Sequence, residues 1–435
     1  MNFNINIPND VRFILDRLKN NGHEAYIVGG CVRDSILNNI PKDWDITTKA
    51  RPEEVIKLFD KVILTGVKHG TVTVLINSEG YEVTTYRMDG EYEDSRHPKK
   101  VNFVSNLKED LARRDFTINA MAYNKVDGLI DYFEGVSDLK KKVIKTVGNS
   151  EKRFSEDALR MLRAIRFSSQ LNFSISNETL NSIKNLRENI KNISKERIRE
   201  EFNKILMSNT KGIDILRETG LMEYIFPEII KLYDFKIDNM YYNDNLYTHT
   251  IKATEEIENK LHLKLTMLFH NLLKMNNEDM EYTILQIKKF LKEFKYDNDT
   301  VNKVTDLTRY MHNSLNTKLE IKQMLNLINL DLFEDLLKVK ESEILSQNPL
   351  YKEERLSHLL YIRENLKDVI FNNECFNLKN LNISGKDLIS LGLEKGKNIG
   401  EMLNELLELV MNNPGLNDKQ VLIDIVKEKK FIRKT

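Results

Sequence analysis

Strand signals occupy only the first third of this chain, and that asymmetry limits its fold more than any other feature. Residues 24–28 (EAYIV), 62–64 (VIL), 71–76 (TVTVLI) and 81–86 (YEVTTY) are short β-branched or aromatic runs, several bounded by Gly, Asn or Ser. Between them, Val32–Asn38 and Pro52–Asp60 read as helices. A mixed α/β head therefore ends near residue 148. From Ser150 onward helical periodicity takes over. Leu263, Leu265, Leu268, Phe269, Leu272 and Leu273 form one apolar face. Ile399, Leu403, Leu406, Leu407 and Val410 fall at i, i+4, i+7, i+8 and i+11, another buried stripe. Only 17 Gly and 7 Pro serve 435 residues, too few turn formers for a large all-β protein.

A chain of this length fits about three domains of roughly 150 residues. Hydrophobic residues at 41% supply enough apolar surface for real cores, which excludes a disordered chain. The 66 Lys+Arg balance 66 Asp+Glu, so any nucleic-acid contact must come from local patches, not from global charge. Cys31 and Cys375 lie too far apart for a disulfide framework or a zinc ribbon, and a reducing compartment is expected. Met1–Asp10 has no apolar h-region, and no run of about 18 apolar residues exists. These features predict a cytoplasmic protein without signal peptide or membrane span.

Four segments carry chemistry. Tyr26–Asp34 (YIVGGCVRD) is a strand, a double-glycine turn and a helix start. Gly29 and Gly30 let a phosphate approach the backbone, the helix end offers N–H groups, and Arg33 adds a bidentate contact. It is neither a Walker A loop nor a dinucleotide fingerprint, and alone it fits a plain strand-turn-helix corner. Next, Lys42–Thr47 (KDWDIT) predicts a strand on which Asp43 and Asp45 share a face. Paired carboxylates repel unless a cation sits between them, and Mg²⁺ takes one or two carboxylates plus substrate phosphates. Glu82, on the later strand, reads equally as a third carboxylate or as a solvent-facing position. In Glu109–Tyr123 (EDLARRDFTINAMAY), Arg113 and Arg114 beside Asp115 and Asn119 suit a triphosphate and a ribose; the bland alternative is a charged helix start with Ile118 and Met121 packed. In Glu156–Phe167 (EDALRMLRAIRF), helical spacing predicts Asp157 and Arg160 on one face, Arg163 and Arg166 continuing the polar ridge, and Leu159, Met161, Leu162 and Ile165 in the core.

Together, Gly-Gly-x-Val-Arg-Asp with Asp-x-Asp, Arg-Arg-Asp-Phe-Thr-Ile-Asn-Ala-Met and Glu-Asp-x-x-Arg resemble the motifs of the class II tRNA nucleotidyltransferases. These are the CCA-adding enzymes, related to bacterial poly(A) polymerases. Ser194–Leu206, with Arg197, resembles a further motif, and Gly385–Gly400 resembles the tail of the bacterial enzymes. The resemblance implies an α+β N-terminal nucleotidyltransferase (polymerase-β-like) head followed by a mostly α-helical neck, body and tail, over residues 1–148, 149–210, 211–340 and 341–435. It implies Asp43 and Asp45 as catalytic residues and ligands of Mg²⁺. It also implies nucleotide contacts from Gly30, Arg33, Arg114, Arg163 and Arg166, and base selection by Asp157 and Arg160. The implied substrates are CTP, ATP and tRNA, the latter contacted at its 3′ end and, through Lys386, Lys395 and Lys397, at its elbow. The polar segment Tyr86–Lys100, with Arg96-His97-Pro98, resembles the flexible loop of enzymes that add both C and A. Poly(A) polymerase, a CC- or A-only enzyme, and a non-catalytic tRNA-binding protein are the alternatives. Where some relatives carry a His-Asp pair, this chain reads Phe269-His270-Asn271-Leu272; Asn271 substitutes poorly for a metal-bridging Asp, so His249 and His270 read as structural and no phosphohydrolase activity is expected.

Overall fold

The computed structural model describes residues 3–64, 66–89, 101–236, 240–241, 245–276 and 279–432. The chain forms two compact units, Met1–Pro227 and Glu228–Thr435.

The first unit is built on a seven-stranded sheet. Its strands are β1 (Ala25–Val28), β2 (Ile46–Thr48), β3 (Val62–Ile63), β4 (Thr71–Ile76), β5 (Glu79–Thr85), β8 (Met121–Asn124) and β9 (Gly128–Asp131), while β6 (Arg87–Asp89) pairs separately with β7 (Val101–Phe103). The sheet order is β3-β4-β5-β2-β1-β8-β9. Only β2 and β5 run parallel, in the register Ile46↔Val83. All four residues of β1 are buried, which is why this strand reads as an unbroken apolar run. The hairpin of β8 and β9 was not visible in the sequence. Its turn is closed by Asn124, whose side-chain oxygen accepts from the Val126 and Asp127 amides. Residues 90–100, with Arg96, His97 and Pro98 of the expected flexible loop, lie outside the described residues.

Helices cover this sheet and extend it. They are α1 (Asn9–Asn20), α2 (Gly30–Ile36), α3 (Pro52–Leu58), α4 (Leu107–Ala112), α5 (Gly135–Lys141), α6 (Ser150–Glu156), α7 (Leu159–Leu171), α8 (Asn177–Leu186) and α9 (Lys195–Leu206). The amphipathic α1, unforeseen in the sequence, buries Val11, Ile14, Leu15 and Leu18. Leu159, Met161, Leu162 and Ile165 of α7 are buried as expected.

The second unit is helical throughout its described residues. Helices Leu246–Glu256, Leu261–Phe269, Asn298–Tyr310, Lys318–Leu345 and Lys352–Phe371 enclose a core containing Leu263, Met267, Leu307, Phe333, Leu336 and Ile362. The expected apolar face from Leu263 to Leu273 is divided between two helices, because the first ends at Phe269 and the next starts at Leu272. Helix Lys318–Leu345 opens with a capping box between Thr317 and Glu320, and its backbone leaves helical geometry at Asn329 (φ 64°). It runs through residue 340, so the body–tail boundary expected there falls inside one helix. A second core holds Leu388, Leu406, Val410, Leu422 and Val426, with Ile399 and Leu403 packed against it, as the stripe on Lys397–Asn412 requires. Among the described residues no helix is long and apolar enough to cross a membrane.

Gly135 shows how tightly the head packs around the segment that precedes β8. A Cβ there would strike the Thr117 carbonyl oxygen and lie 2.9 Å from Met121 Cγ. Gly135→Ala is expected to destabilise the first unit by about 1–3 kcal/mol through overpacking, read as a lower thermal unfolding midpoint with secondary structure retained below it.

Candidate active site

The double-glycine turn separates two roles. Gly29 sits at φ 82°, a conformation that disfavours any side chain, and a Cβ there would lie 3.0 Å from Arg114 Nη1 and 3.9 Å from Asp45 Oδ2. The turn is therefore held open between a guanidinium and a carboxylate. Gly30 has no such constraint: its Cβ would make only an ordinary 3.7 Å contact with Arg33 Nη2.

Asp43 and Asp45 precede β2 instead of lying within it, since the strand begins at Ile46. Asp45 still belongs to the ladder, because the Val28 amide donates to its carbonyl at 3.0 Å. The parallel register Ile46↔Val83 then sets Asp45 beside Glu82 of β5. Electrostatics bears this out. Crowding by the surrounding protein raises the Asp45 carboxyl above its ordinary range, Arg114 opposes that, and Asp43 adds to it. Glu82 is likewise raised by loss of hydration, then by Asp45 and by Asp43. Glu82 is exposed and lies in the field of the two aspartates, so its position is compatible with both readings. Among the described residues none of the three forms an ion pair, and no three His, Cys, Asp or Glu side chains converge into a ready-made metal cage. Three mutually repelling carboxylates fit a hard divalent cation that completes its shell with water and substrate oxygens. Cys31, buried beneath Asp45, has its thiol pushed up to about 12, by burial first and Asp45 second, so it is an inert packing residue.

The arginines are positioned by acids, of which the sequence singled out Asp115 but not the buried Asp110 and Glu201. Asp110 is wholly buried and accepts from Thr47 Oγ1 (3.1 Å), the Arg87 amide (3.3 Å) and Arg113 Nε (3.0 Å), with Arg114 Nη2 at 3.6 Å. Arg114 Nε is buried without a hydrogen-bond partner. Asp115 takes both Nε (2.8 Å) and Nη2 (2.5 Å) of Arg163 and also accepts from Asn119 Nδ2 (3.2 Å). Asn119 in turn accepts from Arg33 Nη1 at 2.7 Å. Arg166 is paired with Glu201 of α9 at 2.6 Å. The guanidinium carbons of Arg33, Arg163 and Arg166 lie 5.1, 5.5 and 4.0 Å from the centre of the Phe167 ring, which gathers three cations around one aromatic side chain.

The expected ridge of Asp157, Arg160, Arg163 and Arg166 is corrected by the structure. Helix α6 stops at Glu156, Asp157 is extended (φ −145°, ψ 104°), and α7 starts at Leu159. The Asp157 side chain accepts from the Leu159 amide at 3.0 Å, a local bond that competes with helix continuation. Its ion-pair partner is Arg197 of α9, at 2.8 Å, not Arg160. Arg160 instead pairs with Glu156 at 2.7 Å and donates to the Arg153 carbonyl at 3.0 Å. The motif containing Arg197 was visible in the sequence, but its partner, forty residues away, was not.

In the second unit, His249 and His270 are buried and in contact, with ring centres 5.2 Å apart. Ser346 Oγ donates to the Glu343 carbonyl, so it accepts from His249 Nε2 at 2.8 Å, and Asn271 Nδ2 donates to His249 Nδ1 at 2.9 Å. Burial pushes His249 down to about 4 and His270 to about 3, so both rings are neutral.

Comparison with known proteins fits this geometry. Residues 25–145 match the poly A polymerase head domain, 172–232 the RNA- and SrmB-binding site of polymerase A, and 278–426 the tRNA nucleotidyltransferase domain 2. The CCA-adding enzyme of Pediococcus pentosaceus is 36% identical over 96% of this chain and 97% of its own length. That of Ligilactobacillus salivarius is 34% identical over 97% and 98%. The chain belongs to the CCA-adding enzymes. A solved relative, the Bacillus stearothermophilus CCA-adding enzyme in complex with CTP, superposes with a TM-score of 0.74 at 28% identity, covering 97% of both chains. As a nucleotidyltransferase of this family, the protein carries the mixed head and helical remainder that the sequence predicted.

The Asp115–Arg163 pair gives a pH signature. Burial alone would raise the Asp115 carboxyl, but Arg163, Asn119 and the Phe116 amide outweigh it and hold it down to about 2, against an ordinary 3.8. A depressed carboxylate contributes stability that is complete above its unfolded pKa and disappears as pH falls through the folded one. Asp115→Asn should therefore lose about 2 kcal/mol at neutral pH, with the gap to the unmodified enzyme narrowing between about pH 4 and pH 2 in urea unfolding curves.

Proposed function

We propose that this protein adds CCA to the 3′ end of tRNA, using CTP and ATP without a nucleic-acid template and releasing pyrophosphate. The observation that carries this reading is the set of Asp43, Asp45 and Glu82 in one electrostatic field, with Asp45 and Arg114 flanking the open Gly29 turn. Asp43 and Asp45 would hold Mg²⁺, with Glu82 as a third carboxylate. Such an ion, when bound, polarises the 3′-hydroxyl and the α-phosphate and offsets charge on the departing pyrophosphate.

The remaining work belongs to the chain. Arg114, with Nε unpartnered, is available to the triphosphate, and Gly30 and Arg33 line the same turn. Arg163 and Arg166, anchored by Asp115 and Glu201, keep positive charge beside it without collapsing onto the catalytic carboxylates. Asp157 is suited to accept from the exocyclic amino group of cytosine or adenine, and Arg160 to donate to the neighbouring ring acceptor. Uracil and guanine carry a carbonyl and an N–H at those places, so each mismatch leaves a buried polar group unpaired at about 1–3 kcal/mol. Arg197 fixes the Asp157 carboxylate, a positioning role in place of the one expected of Arg160. The tRNA is the acceptor. Lys386, Lys395 and Lys397, near the turns at Gly392 and Gly396, are proposed contacts to its elbow. Two free, buried cysteines suit the cytoplasm as the site of this activity.

The test is incorporation into tRNA lacking its CCA, with single nucleotides and product sequencing. Asp43→Ala and Asp45→Ala should abolish incorporation while tRNA binding persists; turnover close to normal in either would remove the metal-site assignment. Long A tracts made from ATP alone would identify a poly(A) polymerase instead.

Base selection is tested separately. Asp157→Ala should lower the ratio of CTP to UTP kcat/KM by about ten- to a hundredfold, as loss of one discriminating buried hydrogen bond implies. Arg197→Ala should lower the same ratio by a smaller factor, and Arg197→Lys should restore part of it. Unchanged ratios in all three would mean that the bases are read elsewhere.

A further inference from the structure

A basic concavity lies in the second unit and shares no residue with the site assigned to the reaction. It is a cavity of about 810 Å³ between the segment 311–316 and the helices Lys318–Leu345 and Lys352–Phe371. That volume falls in the range of small-ligand pockets. Lys236, Lys274, Lys340 and Arg355 line it against Glu343 and Glu354, so cations outnumber carboxylates by two.

The inner charges are already arranged. Glu343 is buried, accepts from Gln347 Nε2 at 3.2 Å, and has Arg355 Nη2 at 3.7 Å. Burial acts to raise Glu343, yet the cations Lys274 and Arg355 and the nearby His312 and His270 rings keep its carboxyl below the usual range, so it is ionised at neutral pH. The charges that answer it at neutral pH are Lys274 and Arg355, because His270 is neutral and loss of hydration lowers His312 as well. Lys340 spends two of its three N–H donors on the Met311 and Asn313 carbonyls, at 2.7 and 2.6 Å, and keeps one more. Burial pushes Lys340 down to about 8, the condition of a cation that gains from an added anion. The Arg355 guanidinium donates to Gln347 Oε1 and lies 5.5 Å from the Tyr241 ring centre. His312 is exposed at the cavity wall and makes no hydrogen bond to any described residue. Asn313, Ser314 and Asn316 add neutral hydrogen-bonding groups beside it.

Excess positive charge, an ionised internal carboxylate that orients it, an uncommitted imidazole and amide-rich walls match a small molecule with a phosphate at one end and a polar heterocycle at the other. We propose that this cavity is a second nucleotide site, separate from the catalytic one, in which Lys274, Lys340 and Arg355 take the phosphate of a mononucleotide and His312 with the Asn313–Asn316 segment takes its base. The enclosed shape favours a single nucleotide over a continuous RNA backbone, whose phosphates are met on extended surfaces. This inference does not depend on the assignment of the catalytic site.

The experiment is equilibrium dialysis of the full chain with labelled AMP in EDTA, where metal-assisted binding at the catalytic carboxylates is removed. Arg114→Ala, which weakens the catalytic phosphate contact, should still bind one AMP per chain. His312→Ala and Lys274→Ala should each weaken that binding about tenfold, a change of one decade in Kd, while thermal midpoints and CTP incorporation stay unchanged. Absence of AMP binding in Arg114→Ala, or undiminished binding in both cavity variants, would overturn the proposal. Equal competition by inorganic phosphate would overturn the base-binding half. Stoichiometric displacement of AMP by tRNA would reassign the cavity to an RNA phosphate. Two variants are used so that a folding defect in one leaves the question decidable.

Discussion

The carboxylate of Asp115 is the interaction on which the catalytic half of the molecule depends. It binds Arg163 through two nitrogens and Asn119 through one, and Asn119 holds Arg33. One acid thereby ties the turn after β1, the segment before β8 and the helix α7 into a single framework. A buried pair of this kind adds little net stability, because desolvation offsets most of the Coulomb gain, but removing one member strands the other. What it supplies is geometry. Three arginines stay gathered at Phe167, close to the turn that must accept a triphosphate, without forming salt bridges to the catalytic carboxylates.

That separation matters because the acidic face has to remain unneutralised by protein. Asp43 raises the proton affinity of both Asp45 and Glu82, Asp45 adds to that of Glu82, and Arg114 opposes the rise at Asp45. The chain keeps this repulsion by giving neighbouring arginines acids of their own: Asp110 for Arg113, Asp115 for Arg163, Glu201 for Arg166 and Glu156 for Arg160. The result is a site whose missing positive charge is left for metal and substrate to supply.

The second unit solves a different problem. Its buried polar cluster of His249, Asn271, Thr250 and Ser346 is joined by hydrogen bonds among neutral groups, with Asn271 Oδ1 and His270 Nε2 left unpartnered. With Asn in place of a carboxylate, the cluster has no anionic ligand among these four residues, in keeping with the structural role read for its histidines. Charge is displaced instead to the neighbouring cavity, where Glu343 organises the cations around it.

The sequence by itself determined the confinement of the seven-stranded sheet to about the first third of the chain, the helical stripes of the second unit, and the local motifs that hold Gly29, Asp43 with Asp45, and Arg114, because each is written in residues close together in the chain. It misjudged Asp157. Helical periodicity assigned Arg160 as its partner, but a side-chain bond to the Leu159 amide breaks the helix, and Arg197 takes the carboxylate. It left Glu82 open, because only the parallel pairing of β2 with β5 brings residues 45 and 82 side by side. The hairpin of β8 and β9 was hidden for the same reason: its strands are stabilised by pairing with β1, almost a hundred residues earlier. Periodicity records which face of an element is buried. It does not record which distant charge or strand will meet that face, and in this protein those long-range meetings are what separate a cluster of arginines and acids from a site that can bind a nucleotide.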